Sequence, residues 1–270
     1  METFLLNVDP VAFSIGPLIV RWYALAYLAG FLLGWKYCLR LVMNQGDKRP
    51  NADDIDSFLT WAVIGVILGG RLGYVLFYNF EYYIDNPSNI LKLWNGGMSF
   101  HGGMLGVLFA MFFYAKKHKI NVFELSDIIS AATPIGLFFG RIANFINGEL
   151  YGRQTDMPWG VVFPTGGDIP RHPSQLYESY LEGLVLFLIL FFLIKSPKRQ
   201  VGMVTGVFLL GYGFFRALIE FAREPDVQIG YIAGFISMGQ ILSLPMIIGG
   251  IVIITFALKG KLDFETNRVK

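Results

Sequence analysis

The sequence predicts an all-α integral membrane protein of about seven transmembrane helices, with the N-terminus outside (periplasmic) and the C-terminus cytoplasmic. Three observations carry that prediction. Of 270 residues, 54% are hydrophobic and 16% charged, whereas soluble domains run at roughly 45–50% and about 25%. Apolar runs recur along the whole chain, so a single polytopic membrane domain over 1–270 replaces the globular domains that length alone suggests. Basic residues are also shared unequally between alternate connections.

A hydrocarbon layer of about 30 Å, at 1.5 Å per residue, asks for roughly 20 apolar residues per helix. The stretches that meet or approach this are Leu18–Leu41, Phe58–Tyr78, Phe100–Ala115, Ile128–Ile146, Leu176–Ile194, Gly202–Phe221 and Phe235–Leu258. The first carries Gly30/Gly34, the second Gly65/Gly69/Gly73 and the fourth Gly136/Gly140. The third is short, opens near Gly102-Gly103 and carries Gly102/Gly106. Small residues four apart line one helix face and let a neighbouring backbone approach. The fifth stretch holds Glu178 and Glu182 near its start, and the sixth holds Arg216 and Glu220.

Orientation follows from loop charge. The connections after the first, third and fifth spans, with the C-terminal tail, hold thirteen basic residues, among them Arg40, Lys48, Arg49, Lys116, Lys117, Lys259, Arg268 and Lys270; the other side holds Lys92, Arg153, Arg171 and Arg223. Positive residues accumulate in cytoplasmic loops, which puts a small segment at about 148–175 on the outer side. Glu2 and Asp9 stand where a signal peptide would be basic, so no cleaved signal peptide is expected. A net charge of +2 argues against a nucleic-acid partner. The single Cys38, in an apolar run, excludes an internal disulfide and a multi-cysteine metal site and reads as a small buried hydrophobe.

Arg71, Arg141 and Arg216 fall within spans. Each costs roughly 2.5–3.5 kcal/mol at mid-helix, and the three together on the order of 8–10 kcal/mol. Arg216 and Glu220 are four apart and Arg223 extends the stripe, so an internal ion pair offsets part of that cost. Only Glu220 is clearly available within a span, with Glu178 and Glu182 possible from the fifth stretch, so unpaired guanidinium is expected to remain. Guanidinium is a planar fork that stays charged when desolvated and suits phosphate oxygens. In a bilayer the abundant phosphate is a lipid headgroup, although an anion transporter uses the same feature.

The densest polar cluster runs from Gly140 to Arg153 and includes Arg141, Asn144, Asn147, Glu149 and Gly152. Arg141 and Asn144 share a helix face, and Gly148 is placed to end the helix. A second cluster, Asn95–Gly103, sets His101 between two Gly-Gly pairs, where the imidazole is open to a structural or a catalytic role. His172 is open to the same two readings, while His118 reads as a solvated loop residue. Tyr23 is either an interfacial anchor or a phenol that hydrogen-bonds a substrate. No zinc site, nucleotide loop or Ser-His-Asp arrangement is present in the pattern.

Taken in order, Arg21-Trp22-Tyr23, Gly69–Tyr74, Ser99–Gly103, Gly140–Glu149, Arg171–Glu178 and Ser237–Gln240 resemble the prolipoprotein diacylglyceryl transferases of bacteria. That resemblance implies a multi-pass enzyme of the bacterial cytoplasmic (inner) membrane whose active site faces outward. It implies transfer of the sn-1,2-diacylglyceryl group of phosphatidylglycerol to the lipobox cysteine of a prolipoprotein, without metal or organic cofactor. Tyr23, His101, Arg141, Asn144 and Glu149 then match catalytic positions. Arg141, Arg216, Asn144 and Gly152 match positions for phosphatidylglycerol, and Glu220, four residues from Arg216, is placed with them as a candidate for the same site. The competing reading is a membrane transporter of anionic lipids or solutes, which predicts internal repeats; none is visible beyond the dipeptide echo of Gly70-Arg71 and Gly140-Arg141.

Overall fold

The computed structural model describes residues 4–6, 8–43, 49–224, 231–232 and 236–263. Glu2, Lys48, Phe235, Arg268 and Lys270, used above, lie outside the described residues. The chain divides into two compact units, one built from residues 1–38 and 127–263 and the other from residues 39–126 with the C-terminal tail.

In the second unit, α2 (Ala52–Tyr78) starts from a capping box, in which the Asn51 side chain accepts from the Asp54 amide and Asp54 accepts from the Asn51 amide. This reciprocal pairing satisfies two amides that a helix start otherwise leaves without partners. A short α3 (Phe80–Asp85) and two 3₁₀ turns lead to α4 (Phe100–His118), capped by Ser99 Oγ. The predicted glycine spacing holds α2 against α4. A Cβ built on Gly106 would lie 1.9 Å from the Gly65 carbonyl oxygen, and one on Gly69 would lie 2.3 Å from that of Gly102. Only glycine permits so close a backbone approach.

Arg71, on α2, is buried, and its guanidinium donates to the backbone carbonyls of Asn89, Ile90, Lys92, Gly96 and Gly97. It therefore spends its donors within its own unit, on the loop that precedes α4. Gly96 and Gly97 take φ of +76° and +82° there, which turns their carbonyls inward at little steric cost.

The first unit opens with a hairpin of β2 (Val11–Ile15) and β3 (Leu18–Arg21), and α1 spans Trp22–Val42. The first apolar stretch thus begins as a strand: Ile19 and Val20 are β-branched and follow a Gly16-Pro17 turn, a setting that favours strand over helix. α5 (Val122–Ile146) ends just before Gly148, at φ +66°, as predicted. The next spanning segment, Ser174–Ile194, contains α6 (Ser174–Glu178), a π-helical stretch (Ser179–Val185) and α7 (Leu186–Ile194). α8 (Met203–Ile219) begins where buried Asp127 accepts from the amides of Gly202 and Thr205, the Thr205 hydroxyl and Arg199. α9 (Met238–Leu258) packs on α8, with Gly250 2.6 Å, by its virtual Cβ, from the Leu210 amide. Between α5 and α6, β4 (Val161–Val162) pairs in parallel with β1 (Phe4–Leu5), and Leu6, Val161 and Phe163 form a small core beneath them.

Each of the seven predicted stretches overlaps a helix, but the first opens on β3 (Leu18–Arg21), and the seventh opens on a short strand (Ile236–Ser237), its Phe235 lying outside the described residues. Five are long and apolar enough to cross a membrane: α1, α2, α5, Ser174–Ile194 and α9. α8 is a shorter apolar helix of 17 residues. α4 is 19 residues long and closes on Lys116, Lys117 and His118. The protein is a mostly helical, multi-pass membrane protein.

Candidate active site

The first unit places three arginines around three carboxylates. Glu178, at the end of α6, is fully buried and central. Its Oε2 lies 2.7 Å from Arg141 Nε, and its Oε1 accepts from Arg216 Nη1 at 2.7 Å and Arg223 Nη1 at 3.0 Å. Glu220, which caps α8, lies 3.0 Å from Arg216 Nη2, the pair that the four-residue spacing predicted. Arg223 Nε is 3.8 Å from the same oxygen. Glu182 faces Arg141 Nη2 at 3.9 Å. The expectation of an unpaired guanidinium is therefore corrected: every arginine of this group has a carboxylate. The reason is tertiary, since Glu178 and Glu182 come from another helix and their inward facing is set by packing.

Packing also explains the neighbouring glycines. A Cβ on Gly239 would lie 2.6 Å from the Glu220 carboxylate, so α9 reaches the cluster only through a glycine. A Cβ on Gly183 would lie 2.8 Å from Phe138 Cα, which lets the π-helical stretch carrying Glu182 lie directly on α5. π-helical turns recur at functional sites.

Arg141 differs from its companions. Only Nε is held at close range; its terminal nitrogens make no hydrogen bond among the described residues, and the side chain is 18% exposed. The fork is anchored at its root and has its outer donors available. One turn on, Asn144 is buried and donates Nδ2 to Glu149 Oε1 at 2.8 Å, with Asn147 Nδ2 at 3.4 Å from the same oxygen. The Glu149 backbone is pinned in turn, its carbonyl accepting from Gln175 Nε2 at 2.6 Å, and Leu150 beside it takes φ +58°. A non-glycine residue at positive φ is held there by its surroundings; here the Leu150 carbonyl accepts from Ser174 Oγ at 3.0 Å. Tyr23, on α1, bonds its hydroxyl to that of Tyr27 at 2.9 Å and lies within electrostatic reach of Glu149 and Arg141.

Gly152 contributes closeness. Its amide donates to the His172 carbonyl at 2.8 Å, and a Cβ there would lie 2.3 Å from the Ala222 carbonyl oxygen. This seam carries Arg223 into the cluster, and Arg153 ties it down through Nε to the Arg223 carbonyl (2.7 Å) and Nη2 to the Glu220 carbonyl (3.2 Å). His172 Nδ1 lies 3.1 Å from the Tyr177 hydroxyl, which already accepts from Trp159 Nε1 at 2.7 Å. The Tyr177 hydroxyl thus links Trp159 to the His172 imidazole, the direction of the second bond depending on the imidazole tautomer. Burial, aided by the positive Arg153, pushes the His172 imidazole below its usual range.

Tyr23, Arg141, Asn144, Glu149, Gly152, Arg216 and Glu220 thus all belong to the first unit. His101 belongs to the second, where it is exposed in the first turn of α4, its ring edge-on to Phe100. Sequence reasoning missed the central place of Glu178 and the part played by Arg153 and Gln175. The one available signal was a pair of glutamates four apart entering an apolar run.

A family model described as prolipoprotein diacylglyceryl transferase matches residues 10–256. A protein of Azospirillum brasilense named phosphatidylglycerol–prolipoprotein diacylglyceryl transferase is 57% identical over 249 residues, covering 91% of this chain and 92% of its own. Proteins of the same name from Rhodospirillum centenum and Vibrio vulnificus are 55% and 54% identical, each covering more than nine-tenths of both chains.

Proposed function

The chain belongs to the prolipoprotein diacylglyceryl transferase family, and from that membership we propose that it transfers the sn-1,2-diacylglyceryl group of phosphatidylglycerol to the lipobox cysteine of a prolipoprotein. The products are a thioether-linked lipoprotein and glycerol 1-phosphate, which makes this the first step of lipoprotein maturation. The enzyme lies in the bacterial cytoplasmic membrane as one polytopic domain. It has seven spans, the N-terminus and the segment at about 148–175 outside, and the active site toward that side.

The observation that carries the reading within the structure is the Arg141 fork, anchored through Nε to Glu178 and with its terminal donors unspent among the described residues. In this reading Asn144 orients the ester end of the headgroup, while Tyr23 and Glu149 position it.

The reaction is a displacement at carbon. Holding a cysteine as thiolate at pH 7 costs roughly 2 kcal/mol, from a thiol pKa near 8.5. A general base has to take that proton; Tyr23 and Glu149 of the first unit and His101 of the second are the candidates that the resemblance supplies. The sulfur then bonds to glyceryl C3 as the C3–O bond to phosphate breaks, and the electron pair leaves on the phosphate oxygen. Charge growing on the phosphate is met by Arg141 and Arg216. Preorganised charge of this kind is commonly the largest single contribution to rate. Glu178 holds the root of Arg141 and one arm of Arg216 before the substrate arrives, so only the outer donors of Arg141 have to turn.

Purified protein incubated with phosphatidylglycerol and a lipobox peptide is expected to add the mass of one diacylglyceryl group to the peptide. Arg141→Ala is expected to lower kcat/KM by at least about 10²-fold, the usual loss on removing one such donor, while the protein still inserts. Transbilayer movement of lipid with an unmodified peptide would refute the reading.

A further inference from the structure

Glu182 is the one member of the ionic cluster whose presence contacts do not explain. Its side chain is fully buried, and neither carboxylate oxygen has a hydrogen-bond partner among the described residues. Its nearest cation, Arg141 Nη2, is 3.9 Å away, whereas Glu178 holds three guanidiniums at 2.7–3.0 Å. Glu178 shares its helical segment, and Arg141 on α5, Tyr212 and Arg216 on α8, and Arg223 beyond α8 face it electrostatically. A buried carboxylate without hydrogen bonds is costly, and in a native protein it calls for an explanation.

The cluster as a whole supplies one. Counted as formal charges, three arginines and three glutamates sum to zero, and such an assembly has little attraction for a phosphodiester. Anion binding requires one arginine to exchange its carboxylate for phosphate, and the loosest pair is Arg141 with Glu182. We propose that Glu182 is a positioning residue that sets the affinity of Arg141 for phosphate: Arg141 turns its terminal donors to the phosphate on binding, and Glu182 draws them back as the product leaves. This rests on the transferase reading, for which it names the group that tunes headgroup affinity and release. Glycerol 1-phosphate carries more negative charge than the phosphodiester it came from, so a counter-charge behind the gripping arginine favours its departure most.

The test is Glu182→Gln, nearly isosteric and uncharged, in the purified full-length enzyme. The transferase assay is run across phosphatidylglycerol concentrations, with and without added glycerol 1-phosphate. Removing one negative charge beside the fork is expected to lower KM for phosphatidylglycerol and tighten inhibition by glycerol 1-phosphate, the latter by on the order of tenfold. Glu182→Leu, at home in an apolar helix, provides a second neutral side chain should Gln fold poorly. Transfer with unchanged KM and unchanged product inhibition in a folded neutral variant would overturn the inference and leave the transferase reading intact. Failure of both variants to fold would make Glu182 a structural ion-pair partner and overturn it too. Absence of transfer by the unmodified enzyme would instead refute the parent reading.

Discussion

Adding one methyl group at Gly152 is expected to loosen the ionic cluster without touching any of its charges. In Gly152→Ala the new Cβ would lie 2.3 Å from the Ala222 carbonyl oxygen, 2.7 Å from His172 Cβ and 2.8 Å from the His172 carbonyl oxygen. None of these is the tip of a flexible side chain. Bringing the first contact to 3.0 Å requires the backbone at Ala222 to retreat by about 0.7 Å, in a close-packed interior with little slack. Arg223 follows immediately in sequence, and its Nη1 donates to Glu178 at 3.0 Å. The same retreat takes that bond past the useful hydrogen-bond range. Overpacking costs about 1–3 kcal/mol, and weakening a charge-assisted hydrogen bond adds about 1–2 kcal/mol. Thermal unfolding in detergent is therefore expected to move down by on the order of 5–10 °C. kcat/KM for diacylglyceryl transfer is expected to fall with it, because Glu178 also aims Arg141 and Arg216. A Gly152→Ala enzyme with the original midpoint and the original kcat/KM would refute the reasoning, since it would show that the seam yields at no cost to the cluster.

Two further outcomes are expected. Gly106→Ala, whose Cβ would lie 1.9 Å from the Gly65 carbonyl oxygen, is expected to lower the unfolding midpoint sharply; Gly136→Ala, with nothing within 4 Å of its Cβ, is the matched control and is expected to leave it level or slightly raised. If His101 accepts the thiol proton, His101→Gln is expected to reshape the pH profile of kcat/KM, and an unchanged profile would remove His101 as the base.

Much of the fold is legible in the chain because bilayer thickness imposes a length on apolar runs. Residue by residue, legibility depends on whether the cause is local. The stop of α5 at Gly148 and the Arg216–Glu220 pair are local and were readable. The glycine seam of α2 and α4 was readable as spacing, though not as a pairing of particular glycines. The strand at Leu18–Arg21 was missed because hydropathy alone does not distinguish Ile19-Val20 in a hairpin from the same residues in a helix. The pairing of Arg141 with Glu178 lies between helices 37 positions apart in sequence, and no period reports it. Arg71 was unreadable for a different reason. Its acceptors are main-chain oxygens, which every residue has.

That last point has an evolutionary reading. A loop gripped by its carbonyl oxygens keeps its shape whatever side chains it displays, provided Gly96 and Gly97 can still turn. Side chains between Asn86 and Asn95 that make no contact of their own can then change at little cost to the anchorage, whereas replacing Arg71 removes the donors to five carbonyls at once. A lysine there, a single point cation, could not span five acceptors.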